Sequence, residues 1–235
     1  MMHSLKNTIV SGLMVLGLSL GLMISAVAAD FRTTKELAER GNSDAQYDMG
    51  MMYYEGDGVH QDYAQALQWF QEAAAQNDGD AQFNIGAMYY HGEGVRQDYT
   101  QAMQWFRKVP ARNQPDAQYM IGYMYDQGLG VDQDYIQAMQ WYRKAAAQDN
   151  ADAQNNIGYM YYEGEGVRQN YTQAMQWYRK SATQGNAYAQ YNIGVMYEQG
   201  LGVPKNSIQA QEWYGKACDN GNQDGCNEYK ILNLQ

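Results

Sequence analysis

Five tryptophans, Trp69, Trp105, Trp141, Trp177 and Trp213, stand 36 residues apart at every step. The same step relates Ala45, Ala81, Ala117, Ala153 and Ala189, then Gly50, Gly86, Gly122, Gly158 and Gly194, then Ala66, Ala102, Ala138, Ala174 and Ala210. A period of this length marks a stack of supersecondary units, each burying its apolar side against the next. Five units, 44–79, 80–115, 116–151, 152–187 and 188–223, account for 180 of the 235 residues.

Each unit holds two helical patterns around a glycine-containing loop. Ala45, Met49, Met52 and Tyr53 fall on one helical face, which predicts a first helix, A. After Gly56-Asp57-Gly58-Val59, a second face of Ala66, Trp69, Phe70, Ala73 and Ala74 predicts helix B. Helix B opens at Asp62, Asp98, Asp134, Asn170 and Asn206, each followed three residues later by Gln, the pattern of a capping box. It ends near Gly41, Asn77, Asn113, Asp149, Gly185 and Gly221, residues that tolerate left-handed backbone. Glycine inside helix A costs about 1 kcal/mol relative to Ala. Its recurrence at Gly50 and the four equivalents predicts close approach of helix B, with Ala66 and its equivalents facing the glycine. The Trp series is expected to lie buried between helices.

The string Ala-x3-Ile-Gly-x-Met-Tyr-x2-Gly-x-Gly-Val, carried by Ala81, Ile85, Gly86, Met88, Tyr89, Gly92, Gly94 and Val95, resembles the Sel-1-like repeat. Asp98, Ala102, Trp105 and Phe106 continue the match. The resemblance implies an all-α, right-handed α-solenoid of αα-hairpins, related to tetratricopeptide repeats, with terminal capping helices. It also implies an adaptor that binds other proteins, commonly periplasmic or secreted in bacteria, and it implies no chemistry. Val109-Pro110 departs from the Ala73-Ala74 type of pair, and Pro115 follows. Because proline breaks a helix interior, helix B of the second unit should stop early and the superhelix should bend there.

Residues 1–29 differ from the rest. Lys6 precedes an apolar run from Ile9 to Ile24 and small residues at Ser25, Ala26, Ala28 and Ala29, the pattern of a secretory signal peptide. Cleavage is expected after Ala29, with Ala28 as the alternative; an uncleaved anchor is the competing reading, since Ile9 to Ala29 is 21 residues. Removal takes away one lysine and no acid, moving the net charge from −10 to −11. So acidic a chain is poorly suited to nucleic acid or anionic lipid. Three Pro, 24 Gly and two Cys exclude collagen, Pro-rich linkers and a disulfide-dense miniprotein.

Cys218 and Cys226, eight residues apart near the end of the last unit, favour a disulfide over two free thiols or a metal site in an exported chain. The spacing resembles the cysteine-rich Helicobacter members of the family, and here it reinforces an expected carboxy-terminal capping helix at 224–235. Residues 30–43 are expected to form an amino-terminal capping half-repeat.

Solenoids bind along an extended concave face, which in tetratricopeptide-like hairpins is lined by helix A. Counting from the motif glycine, the side of helix A turned away from helix B should carry Tyr47, Met51 and Tyr54; Phe83, Ala87 and Tyr90; Tyr119, Tyr123 and Asp126; Asn155, Tyr159 and Tyr162; and Tyr191, Val195 and Glu198. Tyrosine suits an interface because it joins a large apolar body to a hydroxyl. With Glu55, Glu163 and Glu198 nearby, the stripe fits a basic or polar peptide. The competing reading is packing between hairpins.

No cofactor or metal is expected. The Met series at 52, 88, 124, 160 and 196 forms a core ladder, since packed helices about 8–10 Å apart need not bring thioethers together on one ion. The Gly-x-Gly loops lack the Lys-Ser/Thr of a phosphate cradle. Catalytic residues are not expected either: beyond residue 29 the chain has only His60 and His91, on different units. A weak β-lactam-binding or β-lactamase-like activity, described for some cysteine-rich relatives, is the enzyme alternative, and a secreted or surface factor contacting a host protein is another.

Overall fold

The computed structural model describes residues 31–110 and 115–233; the segment read as a signal peptide, with its cleavage site, lies outside them. Among the described residues every regular element is an α-helix. A first helix, α1, covers 31–39. Five hairpins follow: α2 (Ser43–Glu55) with α3 (Tyr63–Ala75), α4 (Gly79–His91) with α5 (Tyr99–Lys108), α6 (Pro115–Gln127) with α7 (Tyr135–Ala146), α8 (Ala151–Glu163) with α9 (Tyr171–Ala182), and α10 (Ala187–Gln199) with α11 (Ser207–Asp219). Helix α12 (Gln223–Asn233) closes the series. Each helix packs on the one before and the one after it, which makes the chain an all-α solenoid.

The N-caps fix the hairpins. Side-chain oxygens of Asp62, Asp98, Asp134, Asn170 and Asn206 accept from the backbone N–H of the Gln three residues on, at 3.0–3.1 Å. The reciprocal half of the expected capping box is replaced. The N–H of each cap residue instead donates to the carbonyl of Tyr53, Tyr89, Tyr125, Tyr161 or Tyr197 in the preceding A helix, at 2.8–2.9 Å. One residue thus caps helix B and ties it to helix A. The B helices lead into left-handed backbone at Asn77 (φ 67°), Asp149 (φ 60°), Gly185 and Gly221; Asn113 lies outside the described residues.

Helix α5 has 10 residues against 12 or 13 in the other B helices, and it ends at Lys108, before Pro110. Pro115 opens α6 at the first helical position, where an N–H has no intrahelical acceptor anyway.

The buried core clusters join helix B of one hairpin to helix A of the next. Ala66, Phe70, Ala73 and Ala74 of α3 bury against Ala81, Ile85 and Met88 of α4, and Trp105 of α5 packs on their edge. The pattern returns with Tyr142, Ile157, Met160 and Trp177, and with Tyr178, Ile193, Met196 and Trp213. The fully buried rings are therefore Phe70, Phe106, Tyr142, Tyr178 and Tyr214, and the expectation of a buried Trp series is corrected: all five tryptophans are only half-buried. Neighbouring helix positions point about 100° apart. The position after each Trp is the one aimed at helix A, where the recurring glycine makes room. A Cβ on Gly50 would stand 2.4 Å from Phe70 Cδ1, and one on Gly158 2.6 Å from Tyr178 Cδ1. These rings, not Ala66 and its equivalents, are what chiefly face the glycines; at Gly122 the Ala138 carbonyl is a secondary neighbour at 3.3 Å.

A polar clasp accompanies this core. Gln46, Gln82 and Gln190 are buried and donate to the carbonyls of Ala38, Ala74 and Ala182, eight residues back, at 3.2–3.4 Å. Their counterparts Gln118 and Gln154 accept from Gln148 and Gln184, as Gln46 does from Gln76 and Gln190 from Asn220. No described residue donates to Oε1 of Gln82. In the next step of the series Cys226 takes the glutamine's place, and a disulfide to Cys218 replaces the hydrogen bond to the residue eight back.

Candidate binding face

Helix A positions its aromatics by register. Tyr47, Phe83, Tyr119 and Tyr191 lie three residues before the motif glycine and so share its face. Their rings lie on the buried rings of helix B: Tyr47 on Phe70 at 5.8 Å, Phe83 on Phe106 at 5.5 Å, Tyr119 on Tyr142 at 5.8 Å and Tyr191 on Tyr214 at 5.5 Å. These four are half-buried, and the expectation that they turn away from helix B is corrected: the glycine draws the helix B ring beneath them.

The positions four residues after the glycine meet the start of helix B. Tyr54, Tyr90 and Tyr162 stand edge-on to Tyr63, Tyr99 and Tyr171 at 5.2–5.4 Å. Tyr90 is only 7% exposed. Burial, with neighbouring Tyr123 and Tyr99, pushes its phenol up to about 12, and its hydroxyl is hydrogen-bonded to Tyr123. Tyr159 is the open member of the series, 45% exposed, whereas Tyr123 and Tyr162 are half-buried.

Successive A helices are also joined laterally. Asn84 Nδ2 donates to the Tyr47 hydroxyl at 3.4 Å, Asn156 is hydrogen-bonded to Tyr119, and Asn192 Nδ2 donates to Asn155 Oδ1 at 3.3 Å. Helix α2 also touches α4 directly. Of the linking asparagines, Asn84, Asn156 and Asn192 were not picked out from sequence, although Asn-Ile-Gly recurs at 84–86, 156–158 and 192–194.

Carboxylates border the tyrosines. Tyr54 donates to Glu93 at 2.6 Å, Tyr142 to Asp126 at 3.1 Å and Tyr214 to Glu198 at 2.7 Å. Burial, then the charges of Asp126 and Glu163, raises the Glu165 carboxyl above its ordinary value; burial raises that of Asp126. Glu93 and Glu165, which sequence reading missed, are the middle residues of Gly-x-Gly loops. Those loops are hairpin turns with left-handed glycines, and the second glycine of each later turn rests on a tyrosine of the preceding unit, as Gly94 does on Tyr63. Helices α2, α4, α6, α8 and α10 contain no Lys or Arg, so nothing on them neutralises this border. Met88, Met124, Met160 and Met196 are buried in the core. His60 and His91 stand exposed on different hairpins.

The family model described as the Sel1 repeat matches residues 43–78, 79–108, 115–150, 151–186 and 187–222. A protective antigen of uropathogenic Escherichia coli with an SLR fold superposes with a TM-score of 0.79 at 38% identity, over 85% of this chain and 43% of that one. The chain thus spans less than half the length of that antigen. A Sel1 repeat protein from Oxalobacter formigenes gives a TM-score of 0.74 at 36% identity, over 83% of this chain and 86% of that one. A sel1 repeat protein from Klebsiella pneumoniae gives 0.55 at 25% identity, over 86% and 99%. Among curated proteins none matches.

Proposed function

This chain belongs to the Sel1 repeat family, whose members are generally protein-interaction scaffolds, and we propose that it is such a scaffold in the bacterial envelope, holding a basic or polar segment of a partner protein on its A-helix layer. The observation that carries this reading is the pairing of a tyrosine surface with an unneutralised acidic border. Tyr123, Tyr159 and Tyr162 offer rigid area with polar tips, and Asp126, Glu163 and Glu165 supply charge beside them. Tyr47, Phe83, Tyr119 and Tyr191 present the half-buried edges of stacked rings, and Tyr54 and Tyr90 support the rim from beneath.

Export supports the envelope location. The Cys218–Cys226 disulfide favours an oxidising compartment. Residues 1–29 supply the export signal in this reading, with units as framed from sequence at 44–223 and caps at 30–43 and 224–235.

A second reading is a secreted or surface factor that contacts a host protein. The similar Escherichia coli protein is a protective antigen, which favours an exposed location. Chemical crosslinking in cells, with wild type against a folded Tyr123→Ala/Tyr159→Ala variant, tests the scaffold. One partner captured by wild type and lost by the variant supports the face; capture unchanged by the variant refutes it. Whether that partner is a bacterial envelope protein or a host protein decides between the two locations.

A further inference from the structure

Charge is divided between the two helix layers. Helices α5, α7 and α9 contain no acid, and they carry the pairs Arg107-Lys108, Arg143-Lys144 and Arg179-Lys180; Lys216 of α11 continues the series. We propose that this ladder is a second docking surface, on the B layer, which takes an acidic segment of a partner protein.

The cations are held in place without being neutralised. Arg107, Arg143 and Arg179 donate through Nη2 to the hydroxyls of Tyr125, Tyr161 and Tyr197 on the next A helix, at 2.6–3.0 Å. The Nζ atoms of Lys108, Lys144, Lys180 and Lys216 lie 3.6–4.3 Å from the centroids of Trp105, Trp141, Trp177 and Trp213. Among the described residues no carboxylate forms an ion pair with any of them. Part of the side-chain entropy that binding would cost is already spent. Four of the half-buried tryptophans, Trp105, Trp141, Trp177 and Trp213, acquire a role here as platforms that fix a lysine.

Positive charge in a last turn also favours a helix through its dipole. That does not account for the ladder, since α3 has Gln71 and Glu72 at the same register and runs 13 residues. Between α7 and α9 an open groove of about 570 Å³ is lined by Arg143, Trp177, Lys180, Thr183 and Gln184, with Asp149 the one acid on its wall against the two cations. It brings cations from two successive hairpins around one space that can admit a carboxylate side chain.

The occupant follows from the range of the forces. The whole chain carries −10, so an extended anionic bilayer or polymer meets net repulsion. A short acidic segment within a Debye length of about 8 Å meets mainly the ladder. Ile136 and Ile208, the exposed large apolar side chains of the B helices, stand in first turns, at the opposite end from the cations.

Fluorescence anisotropy with a labelled 12-residue peptide of alternating Glu and Ser, and its Gln-Ser counterpart, tests this on the purified protein. The Glu peptide should bind at least tenfold more tightly. Arg143→Gln/Lys144→Gln/Lys180→Gln should remove that margin, Lys180→Gln alone should reduce it several-fold, and Lys35→Gln/Lys205→Gln/Lys230→Gln, of equal charge change, should leave it intact. Circular dichroism checks each fold, and the single variant carries the test if the triple one unfolds. Equal losses in both triple variants, or no preference for Glu, would overturn the proposal. So would tighter ladder-dependent binding to phosphatidylglycerol vesicles than to the peptide, or ladder-dependent self-association in sedimentation.

Discussion

Gly122 lies against the ring of Tyr142 so closely that a Cβ added to the glycine would stand 2.7 Å from Cδ1. This contact sets the distance between α6 and α7, and its equivalents do so in every hairpin. Gly122→Leu forces a side chain into a filled space and should destabilise by about 1–3 kcal/mol. Thermal unfolding reads the effect, and an unchanged midpoint would refute the close-approach account.

The same geometry ranks two neighbouring aromatics. Tyr142 is fully buried, whereas Trp141 is half-buried beneath Lys144. Tyr142→Ala should cost about 3–5 kcal/mol in urea unfolding and Trp141→Ala roughly half as much. The reverse order would mean that the Trp series is the core after all.

The disulfide takes over the work of a glutamine clasp. Replacing both cysteines by Ala should cost roughly 2.5 kcal/mol on the chain-entropy account of a short closed loop. The variant Cys218→Ala/Cys226→Gln restores the pairing seen between Gln190 and the Ala182 carbonyl, and should recover part of that loss. Hydrogen exchange in α11 and α12 localises the change; identical exchange in the two variants would show that the register carries no clasp.

Stability should depend on pH through the acidic border. The Asp126 and Glu165 carboxyls are raised in the folded state, chiefly by burial, so the folded chain holds these protons more tightly than the unfolded chain. Their contribution to stability is greatest below the ordinary carboxylate range and is lost as pH rises through the raised values, leaving a cost at pH 7. Asp126→Asn, which can still accept from Tyr142, should raise the melting temperature at pH 7 and not at pH 3, while weakening capture of a basic partner. Stabilisation of equal size at both pH values would show that charge is not the cause.

The repeat, the hairpins and the cap residues were legible because each is written locally and copied every 36 residues. What each aromatic touches was less so. Trp69 and Phe70 are adjacent, and both fit an apolar face; only the void above Gly50 decides that Phe70 turns inward. Tyr47 shares the glycine's face, yet its support comes from a ring 23 positions away in the chain. Gln46 and its equivalents recur every 36 residues, but the meaning of that recurrence lay in a carbonyl of the preceding helix, that of Ala38 for Gln46. The cation ladder was hidden inside a strongly negative net charge.

The central claim is that the A layer is the protein's partner surface. The direct test places a photo-crosslinking phenylalanine at Tyr159, and separately at Ile208, an exposed residue at the start of a B helix. Irradiation of producing cells should give a discrete adduct from position 159 and none from 208. An adduct from 208 alone, or none from 159 while a partner copurifies with the chain, would contradict the account.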